Sequence, residues 1–110
     1  MIGVKNKLPK ILVIGDLIID YYLWGSSERI SPEAPVPIID INKESTVLGG
    51  AANVIHNLKS LGADVDVISV IGVCETSSKV VNLLKEIKIN TNNLIIQKDR
   101  ITPKKSRIIA

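Results

Sequence analysis

Phenylalanine is absent, and one tryptophan and two tyrosines are the only aromatic residues in a chain of 110. A β-sandwich usually draws more heavily on aromatics, so that class fits poorly. Only Trp24, Tyr21 and Tyr22 can stack on bases, no basic stripe is interleaved with them, and nucleic-acid binding is not implied. Cysteine occurs once, at Cys74, which excludes an internal disulfide and a zinc site of four thiolates and fits a reducing compartment. Histidine also occurs once: His56 has no second histidine or nearby cysteine to share a metal with, and a solvated helix face accounts for it better. No run approaches ~18 apolar residues, and the first ten residues carry lysines without an apolar h-region, so neither a membrane span nor a secretory leader is expected. These absences predict a soluble, cytoplasmic protein.

What is present is aliphatic. The 45% hydrophobic content comes from Ile, Val, Leu and Ala, the composition of α/β proteins whose parallel strands are covered on both faces. The length suits one small domain with one core. The net charge of +3 is spread evenly until Lys98, Arg100, Lys104, Lys105 and Arg107, set against Asp99. That local excess is either a solvated loop or a phosphate site.

The most demanding stretch is Leu48-Gly49-Gly50-Ala51-Ala52-Asn53-Val54. Adjacent glycines accept positive φ and let a ligand approach the main chain, and the N–H groups of the helix they open attract anions and hydroxyl oxygens. Taken alone, the turn is equally compatible with close packing of a helix on a sheet. Asn53 falls in the first turn of a helix whose apolar face is read as Ala51, Ala52, Val54, Ile55, Leu58 and Leu61, so its amide is expected to face the turn's occupant.

Residues 1–10 read as a basic lead-in, loose as far as Leu8. Ile11–Ile14 reads as a central parallel strand closed by Gly15-Asp16, placing Asp16 at the carboxyl edge where open α/β sheets bind ligands. From Leu17 to Trp24 the chain alternates, and Asp20 interrupts the face shared with Ile18, Tyr22 and Trp24. On a straight strand Asp16 and Asp20 would lie ~13 Å apart, so a bend between them is expected. Gly25-Ser26-Ser27 reads as a turn. Pro32, Pro35 and Pro37 forbid a helix and enforce a rigid loop leading to an edge strand at Ile38–Ile41, with another turn at 42–46. The two segments, about 17–25 and 36–47, form a small lid sheet suited to covering a site or pairing with a second copy.

Beyond the glycine turn, the helix ends at Gly62 and Val65–Ile71 is the next core strand. Thr76-Ser77-Ser78 is expected to cap a second helix, with Val80, Leu83, Leu84 and Ile87 inward, running to about Asn90. Leu94–Gln97 and Ser106–Ala110 read as further strands. The last stops within an apolar run, so the chain is expected to be the front part of a longer protein.

The order Ile14-Gly15-Asp16 with Asp20, then Arg29-Ile30-Ser31-Pro32-Glu33-Ala34-Pro35-Val36-Pro37, then Gly49-Gly50-Ala51-Ala52-Asn53-Val54, resembles the ribokinase-like (PfkB) carbohydrate kinases. The Arg-Ile-Ser-Pro-Glu-Ala-Pro-Val-Pro run is similar to the branch containing the kinase domain of bacterial heptose-7-phosphate kinase / ADP-heptose synthase enzymes. The resemblance implies that residues 1–110 are the N-terminal portion of one sugar kinase domain, a three-layer αβα sandwich with a β-lid. It implies transfer of the ATP γ-phosphate to the anomeric hydroxyl of D-glycero-D-manno-heptose 7-phosphate, on the route to the lipopolysaccharide inner core. Asp20, Gly49, Gly50 and Asn53 match residues that hold sugar hydroxyls, with Asp16 beside them. The 7-phosphate needs cations, for which Arg29, Lys105 and Arg107 are the candidates, with Thr102 as a hydroxyl donor; Arg29 has an equal claim to bracing the proline loop.

The family's catalytic base lies in a downstream Gly-Ala-Gly-Asp turn that these residues do not contain. ATP and Mg²⁺ are therefore expected to bind mainly elsewhere, and the 110 residues alone to be inactive. A homodimer formed through the lid is the expected assembly. The rival readings are a non-catalytic binding or dimerisation module and a kinase for another phosphosugar.

Overall fold

The computed structural model describes residues 8–110, so most of the expected loose lead-in lies outside the described residues. Strand β1 (Lys10–Ile14), strand β4 (Asp64–Ile71) and strand β5 (Leu94–Ile96) form a parallel sheet in the order β1-β4-β5. Helix α1 (Ala51–Ser60) and helix α2 (Glu75–Glu86) lie along this part of the chain, α1 between β1 and β4 and α2 between β4 and β5. Parallel neighbours require such crossovers, and right-handed ones carried in one direction across a sheet leave both helices on the same face.

That face makes the core. Val65, Val67 and Ile71 of β4 meet Ala52 and Ile55 of α1 and Val80 and Leu84 of α2, all buried. The opposite face is open among the described residues, as suits one portion of a three-layer fold. Leu12 and Ile14 of β1 and Ile95 of β5 point the other way and are more than half exposed. The helix faces are also narrower than read from the sequence, since Val54 and Leu61 are exposed.

A second sheet stands off the first. Strand β2 (Leu17–Ile30) pairs antiparallel with strand β3 (Pro37–Gly50) and parallel with strand β6 (Lys104–Ile109), in the order β3-β2-β6. Leu17 and Ile19 at the start of β2 and Leu48 at the end of β3 are buried in the main core, so the second sheet is rooted in the body. Both inner turns expected from the sequence are replaced by strand. Gly25 marks a bulge in which a Cβ would run into the Asp40 carbonyl, with register shifts between Trp24 and Gly25 and between Ser26 and Arg29. The polar 42–46 segment is the solvated edge strand of this sheet. The reversal sits instead in the proline loop, where the Ser31 N–H donates to the Val36 carbonyl at 2.8 Å.

The expected bend between Asp16 and Asp20 is also displaced. The chain bends at Gly15, and residues 17–20 are continuous strand. Helix α1 ends as expected, with Gly62 at φ 94° after Leu61. Helix α2 starts earlier than expected: Cys74 is its N-cap, no side chain caps it, and it stops at Glu86 rather than near Asn90. The hydroxyls expected to cap it do other work. Ser77 is buried, and its Oγ shares a hydrogen bond with Thr102 Oγ1 at 2.7 Å.

Candidate functional site

The site grows from Gly50. Its φ of 57° is a left-handed value that favours glycine, and a Cβ there would lie 2.8 Å from the Asp16 carbonyl oxygen. That carbonyl accepts the Ala51 N–H at 3.0 Å, which fixes the start of α1 against the carboxyl edge of β1. The first turn of α1 has no acidic residue and no capping side chain, and Asn53 is exposed in it. Donors and an amide therefore face outward where the two sheets meet.

Gly49 is needed for a different reason. It is buried, its φ is one any residue adopts, and a Cβ would lie 2.7 to 2.9 Å from the three carboxylate atoms of Asp20. The carboxylate occupies the space a side chain at position 49 would fill. Only 21% of the Asp20 side chain is exposed, and its partner is Lys105, whose Nζ lies 3.8 Å from Oδ1. The register explains the pair, because Asp20 stands opposite Lys105 on β6, as Tyr22 stands opposite Arg107.

One face of the second sheet thus carries Asp20, Tyr22 and Trp24 with three cations. Tyr22 and Trp24 stack at 5.6 Å, Arg107 lies 6.0 Å from the Tyr22 ring, and Lys43 lies 4.9 Å from the Trp24 ring. Tyr21 points to the other side, with Lys104 5.0 Å from its ring and Lys79 of α2 at 5.7 Å. A hydrogen bond with Glu44, helped by burial, raises the Tyr21 hydroxyl above its usual pKa.

The structure brings Asp20, Gly49, Gly50, Lys105 and Arg107 to one region, with Asn53 in the adjoining helical turn. It does not bring Arg29. That residue sits on the exposed far part of β2, nine residues or about 30 Å of strand from Asp20, and lies 3.8 Å from Asp40. Thr102 is corrected as well. Its hydroxyl is buried, accepts the Gly72 N–H at 3.0 Å and meets Ser77, so it braces the body rather than facing a phosphate.

Asp16 is engaged by a residue that the reading of the sequence left unassigned. Arg100 Nη2 donates to its Oδ1 at 3.2 Å. The signal available was only the local basic excess, which names no partner. Cys74 was likewise given no role. A hydrogen bond from Ser77, at 3.3 Å between Sγ and Oγ, is the main cause lowering its thiol to about 6. Among the described residues no cluster of three or more His, Cys, Asp or Glu side chains is placed to hold a metal, and no helix is long and apolar enough to cross a membrane.

A carboxylate, an exposed amide, uncapped N–H groups and cations on one rim suit a polyol carrying an anionic group. The chain is 61% identical over 105 residues to the bifunctional protein HldE of Aliarcobacter butzleri, covering 96% of this chain and 22% of that protein. It is 59% identical over 106 residues to the HldE of Sulfurimonas denitrificans, again 96% and 22%. The chain therefore spans about a fifth of the length of these relatives. In fold it is similar to a nucleoside kinase of Methanocaldococcus jannaschii, described as an archaeal member of the ribokinase family. The TM-score is 0.68 at 27% identity, over 93% of this chain and 33% of that one. The model of the pfkB family of carbohydrate kinases matches residues 8–110, and the chain belongs to that family.

Proposed function

We propose that these residues are the sugar-binding and lid portion of an ATP-dependent kinase for D-glycero-D-manno-heptose 7-phosphate, phosphorylating its anomeric hydroxyl for ADP-heptose and lipopolysaccharide core synthesis. The observation that carries this reading is the Asp20 carboxylate lying over Gly49, with Lys105 at 3.8 Å. In it, Asp20, Gly49, Gly50 and Asn53 hold hydroxyls, and Lys105 and Arg107 take the 7-phosphate as a point charge and a two-pronged donor. Asp16 stands beside them through its contact with the glycine turn, and Arg29 braces the lid.

ATP and Mg²⁺ supply the transferable phosphoryl group and neutralise its charge, and in this reading residues outside the 110 hold them. The 110 residues alone then catalyse nothing. In this reading the lid also pairs with a second copy, giving a homodimer through the lid.

The test is a hybrid enzyme, the A. butzleri relative carrying residues 8–110 of this chain in place of its matching segment. Heptose 7-phosphate is expected to trigger ATP consumption, and Asp20→Ala to abolish it. Full activity after that substitution overturns the reading. Activity with other phosphosugars but not with heptose 7-phosphate replaces the substrate.

A further inference from the structure

We propose that Asp16 and Arg100 form a strut that holds β6 in place beside β2, so that Asp16 acts as a positioning residue and not as a sugar ligand. The inference deepens the functional reading above and rests on it for what β6 does, but its structural half stands alone.

The two ends of the pair belong to separate parts of the fold. Asp16 follows β1, and its backbone carbonyl accepts the Ala51 N–H, so its position is tied to the glycine turn. Arg100 lies 84 residues later in the connection from β5 to β6. Its own N–H donates to the Gln97 carbonyl at 3.1 Å, and its carbonyl is packed so closely on Gly72 that a Cβ there has no room. Two residues on, Thr102 Oγ1 accepts the Gly72 N–H, and then the Pro103 carbonyl accepts the Ile19 N–H at 3.1 Å. The next residue opens β6.

The connection is therefore threaded between the end of β4 and the start of β2, and the Arg100 side chain crosses from it to Asp16. The Arg100 side chain is one-third exposed and that of Asp16 largely exposed, and Arg100 Nε is buried with no partner among the described residues. Asp16 is the one carboxylate it bonds among the described residues. With its carboxylate open to solvent the pair contributes as a surface ion pair does, enough to change a local opening equilibrium by up to about fivefold. Removing either end frees the connection that sets where Lys105 and Arg107 emerge.

Hydrogen exchange on the hybrid enzyme tests the strut. Arg100→Gln and Asp16→Asn are each expected to speed exchange of the β6 amides about fivefold, with β4 amides unchanged and the double variant no faster than either single one. Unchanged β6 exchange, uniform acceleration of all strands, or additive single effects would each overturn it. In the hybrid enzyme, Arg100→Gln is expected to raise KM for heptose 7-phosphate about fivefold with kcat within about twofold. Faster β6 exchange with an unmoved KM upholds the strut and removes β6 from the substrate site. Conversely, a KM that rises for Asp16→Asn alone, with β6 exchange unmoved, makes Asp16 a direct ligand and refutes the proposal.

Discussion

Substituting alanine at Gly49 separates the site from the scaffold. The new Cβ meets the Asp20 carboxylate at 2.7 to 2.9 Å, about 0.7 Å inside ordinary contact, so one of the two groups moves. The backbone at position 49 needs no glycine conformation, and the group in the way is the end of a side chain that is 21% exposed. The carboxylate therefore swings aside, and stability falls by only about 1 kcal/mol, the low end for overpacking. Its ligand contacts go with it. A hydrogen bond to a charged group contributes about 1.5–3 kcal/mol, so sugar affinity is expected to fall about 10- to 150-fold.

Gly50→Ala should disturb the scaffold as well as the site. Its φ of 57° and the Asp16 carbonyl 2.8 Å from the Cβ position put the damage in the backbone. That φ combined with a ψ of −135° is nearly confined to glycine and costs alanine about 1–3 kcal/mol, so Tm falls by several degrees, and sugar affinity falls with it because the displaced backbone is among the groups that hold hydroxyls. Thermal melts and calorimetric titration of heptose 7-phosphate into the hybrid enzyme measure both. Gly49→Ala with parent-like affinity would refute the placement of the carboxylate at the sugar, and Gly50→Ala with parent-like Tm would refute the account of the turn.

The Cys74 thiol gives an independent check on the buried hydroxyl cluster at the start of α2. Drawn from 9.0 to about 6 chiefly by the Ser77 hydroxyl, it should alkylate with a pH midpoint near 6, and Ser77→Ala should move that midpoint upward. Because the folded pKa is the lower one, the stability this thiolate contributes is complete above 9.0, declines as pH falls toward about 6, and is absent below. A parent midpoint near 9.0 contradicts the hydrogen bond.

The body of the fold was legible in the sequence because its elements are periodic. Ile11–Ile14, Val65–Ile71 and the helix opened by Gly50 are announced by apolar runs, a glycine pair and Gly62, and each appears within a residue or two of expectation. The second sheet was half legible. Gly25 and the polar 42–46 segment carry ordinary turn chemistry, and only cross-strand pairing makes one a bulge and the other an edge strand. Longer-range pairs were not readable. Sequence placed Asp20 and Lys105 on two candidate lists, but their meeting depends on β6 joining the second sheet parallel to β2, and no local pattern encodes that partner choice. The Asp16–Arg100 pair depends on a connection threaded past Gly72, where the informative feature is a missing Cβ. The open face with Leu12, Ile14 and Ile95 reads as core in the sequence because its composition is that of a covered sheet.

The central claim is that Asp20 and Lys105 serve one phosphorylated polyol from opposite strands. Calorimetry of heptose 7-phosphate binding to the hybrid enzyme, with Asp20→Asn, Lys105→Ala and both together, measures it most directly. Each single change is expected to weaken binding at least about tenfold, and the double change by less than the product of the two, since the groups are in contact. Unchanged affinity in either single variant would contradict the account.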